Sequence, residues 1–220
     1  MRKEETMAID HVRFHRVASR CVEVAEEQDA PPVLVEVYKT SVEQPLQKYL
    51  SASTAVQDAW SHASAQGAEA SEALAALDGP YRVARSATAA VVRNVKLPDT
   101  LKAQPTDTDK QNAIERLLDV INQYAGQPWA DVLLTGEFGQ KGAAALKEVG
   151  EAIEADKALQ KARSARAQAF GPAWKAYRSF KRLVRDALGA SSKQYRRIHV
   201  RSGAGLPEVG EDEEAPPSVG

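Results

Sequence analysis

The sequence predicts an all-α fold, an elongated antiparallel helical bundle followed by a disordered acidic tail. Aromatic residues make up only 6% of the 220 residues, and alanine supplies much of the 43% hydrophobic share. This composition favours helices that approach closely over a sheet of Val, Ile and aromatic residues. Apolar residues also recur at three- and four-residue spacing along most of the chain, which is the helical period.

The first two predicted helices lie on either side of the segment "QDAPP". Residues 6–28 form one apolar stripe with helical spacing, made of Phe14, Val17, Ala18, Cys21, Val24 and Ala25. After the interruption, Asp29 and the following prolines suit the start of a second helix. The segment 33–38, "VLVEVY", has strand-like composition. It is assigned to the second helix because the helical pattern continues beyond it, with a short strand as the alternative.

The second predicted helix contains a seam that alternates steps of three and four residues, as in a coiled coil. Its members are Leu46, Tyr49, Ser53, Val56, Trp60, Ala63, Gly67, Ala70, Leu74 and Leu77. The middle of the seam is made of small residues, apart from Trp60, so another helix could approach it closely. We therefore expect this seam to be a surface for a partner helix. Gly79 is predicted to stop the helix and Pro80 to open the next one.

The rest of the chain predicts four more segments. Residues 80–97 form a helix, and Pro98 and Pro105 then exclude helix from a loop. Thr108 and Gln111 suit a capping box for the following helix. Residues 127–142 are a short helix or a loop, and 142–169 a long helix that breaks at Gly171-Pro172.

The chain contains a candidate internal repeat. Residues 79–94 align with 171–186 without a gap, with five identities in sixteen positions. This similarity fits two repeated three-helix units, 6–97 and 108–190, inside a single domain 1–201. It also fits chance in a chain rich in Ala and Arg.

Residues 202–220 differ from the rest of the chain. They hold five acidic residues, no basic residue and several Gly and Pro. Such a segment cannot bury enough apolar surface to order itself, so we expect a disordered tail.

Two further expectations concern the location of the protein in the cell and the reactivity of its single cysteine. No secretory h-region and no run of 18 uncharged apolar residues occurs, so we expect no membrane span and a cytoplasmic location. Cys21 is the single cysteine and cannot form an internal disulfide. A small buried apolar residue is the favoured interpretation, and a reactive thiol is the alternative.

Searches for catalytic and metal-binding patterns predict that the protein is not an enzyme. No histidine follows a glutamate at the spacing of a di-iron site. His11 and His15 have the spacing of two zinc ligands but lack a third, so they are a minor candidate only. "TGEFGQKGAA" lacks the residues of a phosphate-binding loop. No cofactor or small-molecule substrate is therefore expected.

The strongest candidate for a binding site is the basic C-terminal region. Between Gly171 and Arg201, nine Lys/Arg residues stand against one acid, Asp186. The candidate polyanion-binding residues are Lys175, Arg178, Arg182, Arg185, Lys193, Arg196, Arg197 and Arg201. Tyr177 and Phe180 fall on the opposite, apolar side of the helical wheel, with Trp174 at its margin.

Two functions remain open from the sequence. The favoured one is a non-enzymatic structural or protein-interaction bundle that self-associates or docks a protein partner. The alternative is polyanion or nucleic-acid binding through residues 175–201, modulated by the acidic tail. A solvated outer helix face, partly neutralised by that tail, would explain the basic stripe without any ligand.

Overall fold

The computed structural model describes residues 10–199, and all regular structure within that range is helical. The elements are α1 (His11–Ala25), α2 (Pro32–Val37), a π-helical turn (Tyr38–Val42), α3 (Glu43–Val91), a 3-10 turn (Leu101–Ala103), α4 (Asp107–Asn122), α5 (Pro128–Thr135), α6 (Glu137–Leu188) and α7 (Lys193–Ile198). This confirms the all-α prediction, and residues 33–38 form helix rather than strand. The predicted acidic tail, 202–220, and Arg201 lie outside the described residues.

Contacts divide the chain into two compact units. Unit 1 comprises Met1–Thr54 and Arg163–Gly220, and unit 2 comprises Ala55–Ala162. The helices α3 and α6 each contribute residues to both units. The single domain 1–201 and the repeat units 6–97 and 108–190 stay predictions.

Unit 1 has an aromatic core centred on Phe14 of α1. Its ring lies 4.8 Å from that of Tyr49 and 5.1 Å from that of Phe170, centroid to centroid. Trp174 and Tyr177 follow at 5.4 and 5.8 Å. All six residues of the predicted α1 stripe are buried, so that prediction is confirmed. The core therefore brings α1, the start of α3 and the C-terminal part of α6 together.

The π-helical turn Tyr38–Val42 keeps the apolar face of this segment pointing into the core. The buried residues here are Leu34, Tyr38, Val42, Leu46 and Tyr49, and the first three steps are all of four residues. Each such step would rotate the face by about 40° in an α-helix of 3.6 residues per turn. A wider π turn offsets part of that rotation, so the spacing of the buried residues explains the turn.

Unit 2 has its own core, built from α3, α4, α5 and the first part of α6. Buried members include Leu77 and Tyr81 of α3, Ile114 and Leu117 of α4, and Val149 of α6. The Tyr81 hydroxyl donates to the carbonyl of Asp99 at 3.1 Å and lies 3.4 Å from that of Ala113. This hydroxyl ties the loop after α3 to the helix that precedes it.

The Gly-Pro pairs do not break the helices, contrary to the sequence prediction. Pro80 lies inside α3, which runs for 49 residues, and Pro172 lies inside α6, which runs for 52. Residues 80–91 of the predicted helix 80–97 are therefore the end of α3, and residues 92–97 are not helical. The basic residues from Lys175 to Arg185 lie at the end of α6. A proline removes one helical hydrogen bond, but buried residues on both sides of each proline, such as Leu77 and Tyr81, hold the helix in place.

Several helix boundaries also differ from the predicted ones. Thr106, rather than Thr108, caps α4: its hydroxyl oxygen accepts the Asp109 N–H at 3.1 Å. Helix α6 begins at Glu137 rather than near 142. The N-cap is the residue at which the backbone enters the helical conformation. Two threonines lie close together here, and the sequence pattern alone does not distinguish between them.

Buried positions coincide between the two aligned segments. The pairs, 92 residues apart, are Tyr81/Ala173, Ala84/Ala176, Thr88/Phe180 and Val92/Val184. Any two helices with one buried face can share this spacing. The internal duplication therefore stays a prediction.

Candidate functional site

Charge is divided unevenly between the two units. The described part of unit 1, residues 10–54 and 163–199, contains fifteen Lys/Arg and eight Asp/Glu, a net charge of +7. Unit 2 contains eleven Lys/Arg and fifteen Asp/Glu, a net charge of −4. Residues 1–9 and 200–220 carry the remaining net charge of −4, which brings the whole chain to −1. The positive charge of the described part of unit 1 comes from the segment 163–199.

Four of the predicted cations form an exposed row along α6, which we call the α6 stripe: Lys175, Arg178, Arg182 and Arg185. Their spacing of three and four residues places them on one side of the helix. The buried face of α6, which includes Tyr177 and Phe180, lies on the opposite side. Arg185 pairs with Asp186 at 3.2 Å, and the other three make no ion pair within residues 10–199.

The aromatic residues of this helix belong to the core of unit 1. Tyr177 and Phe180 are buried, and half-buried Trp174 packs against Phe14 and Phe170. The sequence assignment of these rings to the apolar side is confirmed. They are not available to stack on the bases of a nucleic acid, as in single-strand binding proteins.

Three further predicted cations meet α1 at a recess. This α1/α7 recess has a volume of about 720 Å³ and is lined by Arg20, Glu23, Ser191, Lys193, Arg196 and Arg197. The sequence analysis missed Arg20 and Glu23. They are separated from α7 by about 170 positions, and only their exposure on the polar side of α1 could have marked them. The α6 stripe does not line this recess.

Helix α7 is held in place by a buried side chain and by two hydrogen bonds. Ile198 is fully buried, and its carbonyl accepts the Tyr177 hydroxyl at 2.8 Å. The Ser192 hydroxyl oxygen caps α7 by accepting the Tyr195 N–H at 3.2 Å. Gly189, with φ of 84°, permits the left-handed turn between α6 and α7. The backbone that carries Lys193 and Arg196 is thereby fixed.

Arg197 is held by one carboxylate of α1 and one from the turn that follows α1. Its guanidinium forms ion pairs with Glu23 and Glu27, and Gln194 donates from Nε2 to Glu27 at 3.0 Å. Arg20 donates from Nη1 to the carbonyl oxygen of Arg197 at 3.2 Å. These contacts join α7 to α1. They pair the charge of Arg197, whereas Arg20, Lys193 and Arg196 make no ion pair within residues 10–199.

The metal candidates His11 and His15 gain no third ligand from residues 10–199, where no group of three His, Cys, Asp or Glu side chains could hold an ion. His11 instead shares a hydrogen bond of 3.1 Å between Nδ1 and the Tyr49 hydroxyl. Burial, reinforced by the positive charge of Arg166, holds the pKa of His11 below its usual value, although Asp10 acts in the opposite direction. The arrangement is that of a packed core-edge histidine.

Two other sequence expectations concern the thiol and the membrane. Cys21 is fully buried, and burial raises the pKa of its thiol, so the structure favours the apolar interpretation over a reactive thiol. None of the helices formed by residues 10–199 is long and apolar enough to cross a bilayer.

The fold and this surface define an all-α protein with one basic and one acidic unit. No protein-family model matches the chain, no curated protein is significantly similar to it, and no solved structure matches it significantly.

Proposed function

We propose that this protein is a non-enzymatic binding protein that holds a polyanionic partner, with nucleic acid as the first class to test, on the basic side of unit 1. The observation that carries this proposal is the α1/α7 recess, where three cations without ion-pair partners in residues 10–199 converge. Its lining contains a single acid, Glu23, which is paired to Arg197. A helix face that only contacts solvent has no need of such convergence from two elements distant in sequence.

The physical basis of such binding is release of counterions from the polyanion. Each phosphate neutralised by Lys or Arg releases condensed counterions, so affinity falls steeply with salt. The recess supplies Arg20, Lys193 and Arg196, and the α6 stripe supplies a second group. A polyanion that contacts several of these cations would show a slope of about −0.9 per phosphate contact on duplex DNA.

The acidic tail is the regulatory part of the proposal. Its five acids follow the basic region directly in sequence and would compete with a polyanion for the same cations. Removal of 202–220 should therefore strengthen binding, most clearly at low salt where electrostatic screening is least.

Fluorescence anisotropy of labelled duplex and single-stranded oligonucleotides across a salt series tests the proposal. We expect the double variant K193Q/R196Q to lower the salt slope by about 2. The matched control is K157Q/K161Q, which removes two exposed cations of α6 within unit 2 and should leave the slope unchanged. Absence of binding at low salt, or binding indifferent to salt and to tail removal, would refute the proposal.

Self-association through the middle of α3 is the second candidate function. The ends of the predicted seam are buried, whereas Trp60 in its middle is 56% exposed and Gly67 is also exposed. A second copy of α3 could cover this tryptophan. Light scattering of the intact chain should then give a mass above the monomer's 23.8 kDa. The variant W60Q should return the measured mass to that of the monomer. A monomer at every concentration would exclude this function.

A further inference from the structure

We infer that the α1/α7 recess binds a phosphate group through Arg20, Lys193 and Arg196, and that Arg197 is a positioning residue that does not contact the ligand. This inference rests on the proposed function, since it names the anionic group and divides the cations of that site by role. Arg20 contributes to the site although it lies far from the basic C-terminal region in sequence.

Arg197 is the cation of the recess that is already paired. Its guanidinium is shared between the carboxylates of Glu23 and Glu27, and its side chain is 30% exposed. Each terminal nitrogen of the guanidinium donates to one of these carboxylates, whose two negative charges exceed the single charge of Arg197. Arg197 therefore fixes α7 against α1 and has no net positive charge to offer a ligand.

Glu23 would repel an anion, but its carboxylate is paired with Arg197. Arg197, Glu23 and Glu27 together carry a net charge of −1, and the three positive charges of Arg20, Lys193 and Arg196 exceed it, so the recess stays positive. Arg20 uses one N–H of Nη1 to bond the Arg197 carbonyl, which orients the guanidinium toward α7 without neutralising it. A cation that is both oriented and unpaired binds an anion at a smaller entropic cost than a free side chain.

Helix α7 supplies the other two cations of the site. Lys193 and Arg196 are exposed and three residues apart, so they lie on the same side of the helix. With Arg20 they place three cations around one recess, and Ser191 adds a hydroxyl to the lining. A phosphate group offers several acceptor oxygens and at least one negative charge, and arginine and lysine are its usual partners. The lining thus matches a phosphate group in number of donors and in charge.

The phosphate group could belong to a nucleic-acid backbone or to a small phosphate compound. Full-length protein is therefore titrated in two arms, one with a labelled single-stranded oligonucleotide over a salt series and one with pyrophosphate. The variants are R20Q, R197Q and the matched control R16Q. Arg16 is also exposed on α1 and does not line the recess.

We expect R20Q to weaken oligonucleotide binding roughly tenfold at low salt, as for loss of a hydrogen bond to a charged group, and to lower the salt slope by about 1. R16Q should change neither. R197Q should weaken binding at every salt concentration without lowering the slope. It should also lower the melting temperature more than R20Q does, because R197Q removes two ion pairs and R20Q removes one exposed hydrogen bond. The slope separates a residue that contacts phosphate from one that positions α7.

Each result has one meaning. Equal behaviour of R20Q and R16Q, or a reduced slope in R197Q, overturns the inference while salt-dependent binding by the wild type leaves the proposed function standing. Arg20-dependent binding of pyrophosphate without any oligonucleotide binding supports the recess and refutes the nucleic-acid function. Failure to bind both the oligonucleotide and pyrophosphate overturns the inference and the proposed function together.

Discussion

Single buried hydroxyl groups connect the long helices to the chain that follows them. Tyr81 of α3 donates to the carbonyl of Asp99, and Tyr177 of α6 donates to that of Ile198. Both side chains are almost fully buried, and so is Ile198, whereas Asp99 is exposed. Each hydroxyl therefore stabilises a connection that apolar packing alone would leave loose.

Replacing Tyr81 by Phe should destabilise the protein by about 1 kcal/mol, because the hydrogen bond to the Asp99 carbonyl is lost while the ring is kept. Urea denaturation followed by circular dichroism measures this change. Tyr124→Phe is the control: Tyr124 is 36% exposed, and its change should fall within experimental error. Equal stability of Y81F and Y124F would contradict the role assigned to the Tyr81 hydroxyl.

His11 should make stability depend on pH. Burial and the Arg166 charge lower its pKa in the folded state below the unfolded value of 6.5, with Asp10 opposing them. The unfolded state then binds more protons in this range, so the contribution is complete above about pH 6.5 and is lost as the pH falls through the window below it. Melting temperatures measured across this range should fall on acidification.

The variant H11Q should flatten that pH dependence, because glutamine does not titrate. H15Q provides the control, since it replaces a histidine one helical turn away on the same helix. If H11Q and the wild type lose stability in parallel on acidification, His11 is not the group responsible.

Among the elements, the two long helices are unusual in carrying a proline in their interior. Pro80 and Pro172 each follow a glycine, the pair that the sequence predicts as a helix break. Local preference opposes helix at these positions by roughly 3 kcal/mol for proline and about 1 kcal/mol for glycine. Packing of the flanking buried residues overrides that preference, so each Gly-Pro pair is a local weakness within a continuous helix.

Pro80→Ala should therefore stabilise the protein by about 1–2 kcal/mol. The gain from a restored helical hydrogen bond, up to about 3 kcal/mol, is reduced by about 1 kcal/mol because the unfolded chain becomes more flexible. Pro128→Ala is the matched control, since Pro128 occupies the first position of α5, where the missing N–H has no helical partner. Denaturant midpoints compare the two variants. A destabilised P80A would mean that the helix needs the proline.

At the scale of the whole molecule, the two units are built from the chain in different ways. Unit 2 is one continuous stretch, 55–162, with its own hydrophobic core. Unit 1 joins the two ends of the chain across that stretch, and its formation must pay a loop-closure entropy that grows slowly with loop length. Unit 2 can therefore form its core without residues from either end of the chain.

We predict that the isolated fragment 55–162 folds into a helical, cooperatively melting unit. Circular dichroism during heating tests this, and Leu117→Ala within the fragment should lower its stability by about 2–5 kcal/mol because Leu117 is fully buried. Val132→Ala, at an exposed residue, should change it little. A fragment that melts without a cooperative transition would show that unit 2 depends on unit 1.

Much of the fold could be predicted from the sequence because helical periodicity is local. The stripe of α1 and the apolar face of α6 are readable from spacing alone, and both are buried as expected. Where the sequence prediction failed, at Gly79-Pro80 and at the cap of α4, two local signals conflicted or competed. Which of the two signals prevailed depended on contacts with residues that are distant in sequence.

The helical character of this protein and the location of its positive charge can both be read from the chain, because they follow from residue type and spacing. The tertiary structure alone decided which charges meet. It placed Arg20 beside Lys193 and Arg196, assigned Arg197 to Glu23 and Glu27, and left the α6 stripe outside the recess. Long-range pairing of α1 with α7 depends on how helices pack around Phe14, and no local pattern in either helix encodes that arrangement.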